Sequence, residues 1–185
     1  MARKREERPQ RKMRPVYIVF CEGETEECYV NLLRQNYRSP IKIITNVLGN
    51  EIASDVVQKK IDDVKIFADE NLTTFLMYDL DVSSVNSKLE GIHATKLLSN
   101  PCIEFWFILH CLEKSSSMSS AMCLQKLKQC GNEWKSYEKG RLTETQKKIL
   151  WEKRLDAVRN AKNLTDGVNP SSTVYRLIEK LEEGR

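Results

Sequence analysis

The residues Val16-Tyr17-Ile18-Val19-Phe20 form an unbroken apolar run, β-branched and aromatic, that ends abruptly at Cys21-Glu22-Gly23. A run with so little polar alternation suits a strand covered on both faces of its sheet. Such a strand requires helices above and below it. The chain supplies one at once, because Tyr29, Leu32, Leu33 and Tyr37 recur at helical spacing from about Thr25 onward. Glu22 and Gly23 therefore fall at a strand-to-helix turn, where open α/β sheets bind their ligands.

The alternation continues. Residues 42–48 read as a second strand, and a helix follows with Ile52, Val56, Ile61, Val64 and Phe67 on one side. Residues 73–78 read as a third strand that stops at Asp79-Leu80-Asp81, residues 85–90 as a short helix, and residues 92–98 as a fourth strand. Strands alternating with helices imply parallel pairing through right-handed crossovers. The expected fold class is α/β, a mostly parallel sheet of about four strands flanked by helices. Ser99-Asn100-Pro101 then predicts a helix start, with Asn as N-cap and Pro at the first position. The helix carrying Ile103, Trp106, Phe107, Leu109 and His110 is apolar nearly all round and should be buried.

Beyond a serine-rich stretch at 115–120 the pattern becomes helical. Thr143-x-x-Gln146 is a capping-box signature opening a long charged helix to about Asn163. Asn169-Pro170 repeats the Asn-Pro start ahead of Val174, Leu177, Ile178 and Leu181. Three regions are expected: a basic, disordered arm over 1–14, an α/β domain over 15–114, and a helical extension over 115–185 packed on it.

Composition fits this layout. Hydrophobic residues at 41% against 30% charged give enough apolar surface for one core in 185 residues. No apolar run approaches the roughly 20 residues of a membrane span, and the run at 16–21 is too short for an export signal. With six cysteines lacking any C-x-x-C pair, reduced thiols in a cytoplasmic protein are expected. The formal charge of +4 is concentrated at the start. Seven basic residues (Arg3, Lys4, Arg5, Arg8, Arg11, Lys12 and Arg14) face two acidic ones within 2–14, so that the remainder carries −1. Such an arm suits nucleic-acid phosphates, and equally suits a solvated tail.

The acids carry the chemistry. Asp79 and Asp81, at i and i+2 by a strand end, put two carboxylates on one side of the chain. Paired carboxylates there either coordinate a cation or raise their own pKa values. Oxygen ligands favour Mg²⁺ or Mn²⁺ over zinc. If the first and third strands are neighbours, Glu22 converges with Asp79 and Asp81. A cation so held polarises a phosphoryl oxygen while a spare carboxylate handles a proton. Asp-x-Asp alone is also common in loops, where it forms Asx turns. Asp79-x-Asp81-x-Ser83 resembles the nucleophile loop of haloacid-dehalogenase phosphatases, but it follows two earlier strands and no further Asp occurs before Asp156. No P-loop signature is present.

Three blocks then arrive in order: Cys21-Glu22-Gly23-Glu24-Thr25-Glu26, Asp79-Leu80-Asp81, and Ser99-Asn100-Pro101-Cys102-Ile103-Glu104-Phe105-Trp106 running on to His110. Together with Asn169-Pro170-Ser171-Ser172-Thr173 they resemble the RloB-like family, Toprim-related proteins of bacterial anti-phage and abortive-infection loci. The sequence departs from the family's pattern at Ile103, where Phe is usual, and after Asp81, where Val82-Ser83-Ser84 replaces a more acidic run.

The resemblance implies a Toprim-like sheet, Glu22 as general acid/base, and Asp79 and Asp81, with Glu22, as Mg²⁺ or Mn²⁺ ligands. It implies a nucleic-acid substrate, DNA or RNA, and an ABC- or AAA-type ATPase partner. Glu26, Glu104 and His110 are candidate supports of the site. For Glu104 the bland reading is that helix N-termini favour carboxylates, and for His110 that it is a core residue about 600° round the helix from Glu104. Two functions follow as expectations: a metal-dependent nuclease in anti-phage defence, or a non-catalytic adaptor docking on the ATPase.

Overall fold

The computed structural model describes residues 15–37, 42–65, 72–81, 83–113 and 116–184. The basic residues Arg3 to Arg14, the boundary at 115 and Phe67 lie outside the described residues. The elements run β1 (Val16–Cys21), α1 (Glu24–Tyr37), β2 (Lys42–Val47), α2 (Ser54–Lys65), β3 (Leu72–Asp79), α3 (Ser83–Glu90), β4 (Thr95–Asn100) and α4 (Ile103–Ile108). They continue with α5 (Ser120–Gln129), α6 (Glu144–Glu152), α7 (Arg154–Lys162), β5 (Ser171–Ser172) and α8 (Tyr175–Glu183). One five-stranded sheet results, ordered β2-β1-β3-β4-β5. The first four strands are parallel, and β5 pairs antiparallel with β4.

The apolar run of β1 is buried on both faces, and its parity sorts the core. Tyr17, Val19 and Cys21 join Phe75, Met77 and Leu97 against the larger helical layer, which includes α1, α4, α5 and α8. Ile18 and Phe20 join Leu76 and Tyr78 against Val57 and Ile61 of α2 and Val85 and Leu89 of α3. Each such fully buried side chain contributes about 1.5–3 kcal/mol relative to exposure. The mixed α/β sheet flanked by helices is the architecture the alternation implies.

The region beyond 115 is not only a helical layer. Its strand β5 extends the sheet, and Thr173 N–H donates to Leu98 O at 2.8 Å. Trp134, Tyr137, Leu150, Leu177 and Ile178 belong to the same cluster as the first-half residues Tyr29, Trp106 and Phe107. The two parts share one core.

Three local expectations need correction. Asn100 does not cap a helix. It ends β4, its bond to Pro101 is cis, and the N-cap of α4 is Cys102. Its side-chain amide instead donates to Gly167 O at 2.8 Å. Asn169 also precedes a cis proline, and α8 begins only at Tyr175. The Asn169 amide clips the chain before α5, accepting from Met118 N–H at 3.0 Å and donating to Met118 O at 2.9 Å. The long charged helix is in fact two, α6 and α7, broken at Lys153. The capping box at Thr143 and Gln146 opens α6 as its signature implies. The break lets α6 pack on α1 and α7 on α8. It also sets the Arg154 guanidinium 3.9 Å from the centre of the Trp151 ring and 2.8 Å from Glu182 Oε1.

Candidate functional site

Neighbouring parallel strands β1 and β3 end side by side, and each ends in an acid. Cys21 pairs with Met77 in register, and Glu22 N–H donates to Met77 O at 3.0 Å. That bond carries the ladder one residue further and sets Glu22 beside Asp79. The Asp79 N–H then donates to Glu22 Oε2 at 2.8 Å. Glu26, in the first turn of α1, reaches back so that its Oε2 accepts from Gly23 N–H at 3.0 Å. Glu104, in the first turn of α4, is fully buried, and its Oε1 accepts from Tyr137 OH at 3.0 Å.

Glu22, Glu26 and Asp79 line one cavity of about 320 Å³ together with Thr25, Lys139 and Gly140. The last two belong to a turn, residues 137–141, that sequence patterning does not single out. Gly140 N–H donates to Thr25 Oγ1 at 2.8 Å, and Cys28 Sγ donates to Gly140 O at 3.2 Å. Lys139 Nζ thereby stands 3.7 Å from Glu104 Oε1. A larger cavity of about 680 Å³ lies by the opposite ends of β3 and β4, with Glu90 as the one carboxylate among its described lining residues. It takes no part in this cluster.

Burial and crowding set the protonation of the acids. Burial, and then the charges of Glu26, Glu22, Glu104 and Asp81, push the Asp79 carboxyl up to about 10. Burial raises Glu26 to about 7, against the lowering effect of its backbone hydrogen bonds. Glu22 is raised too, by burial first, with the Asp79 N–H and Lys139 opposing and Asp81 adding. For Lys139 burial works against the charge, but Glu104, Cys102, Asp79 and Glu26 raise its pKa overall. The cluster holds more negative charge than its surroundings neutralise, and it takes up protons in response.

Asp81 is exposed at the bend after β3, where its Oδ2 accepts from Ser120 Oγ at 3.2 Å. It stands near enough to raise Glu22 and Asp79 but does not line their cavity. His110 is not in the site. It lies in the core with its ring edge-on to Trp106 and its Nδ1 2.9 Å from Trp106 O. Burial lowers its pKa to about 4, so it is a neutral core imidazole.

Among the described residues no group of three or more His, Cys, Asp or Glu side chains is placed to hold a metal ion. Glu22 and Glu26 accept from backbone N–H groups, and Asp81 from Ser120. The donor chemistry nonetheless fits a hard divalent cation. Asp79 Oδ1 and Glu104 Oε2 are buried with no hydrogen-bond partner. Oxygen-only ligands with excess negative charge are what Mg²⁺ and Mn²⁺ require.

The family model described as RloB-like protein matches residues 17–181. The chain belongs to the RloB-like family. No curated protein and no solved structure matches it. The RloB-like region takes in both strand-end acids and the 137–141 turn, so the described residues that line the cavity all lie within it. No described helix of this RloB-like chain is long and apolar enough to cross a membrane.

Proposed function

We propose that this RloB-like protein is a metal-dependent nuclease that hydrolyses phosphodiester bonds of DNA or RNA. The observation that carries the reading is Asp79. It is a buried carboxyl group that lines the cavity with Glu22 and Glu26 at the C-terminal edge of a parallel sheet, and its Oδ1 has no hydrogen-bond partner. Asp79 and Glu22, with Asp81 at the rim, would hold Mg²⁺ or Mn²⁺, the pair expected of oxygen ligands. When bound, such an ion polarises a phosphoryl oxygen and eases the ionisation of water.

The protein's own groups do the rest. The Asp79 N–H fixes the orientation of Glu22, the group best placed to accept a proton from attacking water. Glu26, at about 7, is poised to exchange one near neutrality. The setting we propose is cytoplasmic anti-phage defence with an ABC- or AAA-type ATPase partner, as the family resemblance implies. Cleavage of DNA and of tRNA in Mn²⁺ tests the chemistry. The double variant Asp79→Ala, Asp81→Ala should lose cleavage and phage protection while keeping its circular dichroism. Unchanged cleavage would sink the reading.

A second reading, a non-catalytic adaptor on the ATPase, draws support from one observation. The carboxylates of Glu22 and Glu26 already have backbone donors. Calorimetry with Mn²⁺ on the parent, Glu22→Gln and Asp79→Asn separates the two, because an adaptor needs no such site.

A further inference from the structure

The cavity poses an electrostatic problem for the substrate proposed above. Among the described residues its charged lining consists of Glu22, Glu24, Glu26, Asp79 and Lys139. Of these, a phosphodiester entering it meets acids and one ammonium. Lys139 is 59% exposed at its side chain while its partner Glu104 is fully buried. At 3.7 Å the contact is an ion pair longer than a hydrogen bond, and an ammonium carries three donors. Lys139 lines the cavity with more than half of its side chain exposed, and one ion pair leaves its ammonium donors to spare for an anion.

The turn beneath it is built to hold that position. Gly140 has φ +77°, a left-handed conformation that favours glycine, and a Cβ there would lie 2.8 Å from Glu24 Oε2. Thr25 Oγ1 accepts from the Gly140 N–H, Cys28 Sγ donates to the Gly140 carbonyl, and Glu138 bridges to Arg141 across the turn. Tyr137, two residues earlier, is buried and bonded to Glu104. A lysine needed only to neutralise Glu104 would not call for a turn pinned at four points. Nor would it need to line the cavity, as Lys139 does.

We propose that Lys139 is the phosphate-binding residue of this site, donating to the non-bridging oxygens of a nucleic-acid phosphodiester held over Glu22 and Asp79. The inference rests on the nuclease reading for its substrate class, but its test does not depend on turnover. Fluorescence anisotropy with labelled short single-stranded DNA and RNA oligonucleotides, in calcium buffer across a salt series, compares the full-length parent with Lys139→Gln and Lys139→Arg.

The parent should bind, and Lys139→Gln should bind about tenfold more weakly, the loss expected of one charge-assisted contact. Its salt dependence should be shallower by about 0.7 in the log–log slope, one phosphate contact on a single strand. Lys139→Arg should restore both. A purely structural ion pair would leave the slope unchanged. Lys139→Gln binding like the parent, or a parent that binds neither oligonucleotide, would overturn the assignment. Cleavage by the parent and by the Asp79, Asp81 double variant, measured in parallel with Mn²⁺, reports separately on the nuclease reading. A protein that cleaves yet shows no Lys139 effect loses this inference alone.

Discussion

The backbone N–H of Asp79 donates to Glu22 Oε2 at 2.8 Å, so the acid ending β1 is oriented by the residue that supplies the acid ending β3. The bond spans 57 positions in sequence. It exists because β1 and β3 are neighbours in the sheet, and it ties the placement of these two acids to strand pairing.

Without a bound cation, the site should make the fold sensitive to alkali. Asp79 is raised from 3.8 to about 10, so the folded state holds its proton more tightly than the unfolded chain. That contribution is complete below 3.8 and is lost as pH climbs towards about 10. Glu26, raised from 4.5 to about 7, loses its share over a lower window of the same sign. In chelator, the parent should lose denaturant resistance between about pH 5 and about pH 8. Asp79→Asn, neutral and isosteric, should lose less and exceed the parent at the upper pH by about 1–3 kcal/mol. Equal pH sensitivity of the two would place the titration elsewhere.

Cation binding should reverse that cost. Mn²⁺ at about a hundredfold excess over its Kd should add about 2.7 kcal/mol to unfolding free energy. Glu22→Gln and Asp79→Asn should lose the gain, read as the Mn²⁺-induced shift in melting temperature.

Tyr137→Phe isolates the support beneath the site. It removes the donor to Glu104 Oε1, a fully buried carboxylate whose other oxygen already has no partner. Urea unfolding should show a loss of about 1–3 kcal/mol. A neutral result would mean that water replaces the hydroxyl.

Gly140→Ala tests the pinned turn. The new Cβ combines a left-handed φ with a 2.8 Å approach to Glu24 Oε2. Destabilisation by about 1–2 kcal/mol is expected in the same assay. Adding Glu24→Ala should recover only the part due to the close approach. Full recovery would show that the backbone conformation costs nothing.

The sequence makes one half of the cavity legible and hides the other. Glu22 and Asp79 can be found because each ends an apolar run, and run ends in a parallel sheet gather at one edge. Glu104 is visible as an acid in the first turn of a buried helix. Tyr137, Lys139 and Gly140 are not, because their segment has no period. Tertiary bonds to Thr25, Cys28 and Glu104 fix it, and the only local signal is a Lys-Gly pair between two weakly patterned stretches. Asn100 and Asn169 mislead for a similar reason. Each has the residue type of a helix cap, but its amide bonds to backbone more than 50 residues away. Local preference cannot register such a competitor.

Strand β5 has a consequence for what a shortened chain can do. The backbone of β4, whose Ser99 sits opposite Asp79, is completed by Ser171, Ser172 and Thr173, which lie far along the chain from both. A nascent chain, or one cut short before that point, presents its strand-end acids on an unfinished sheet. If those acids cleave nucleic acid, a chain that stops before β5 is expected to lose cleavage together with the strand that completes β4.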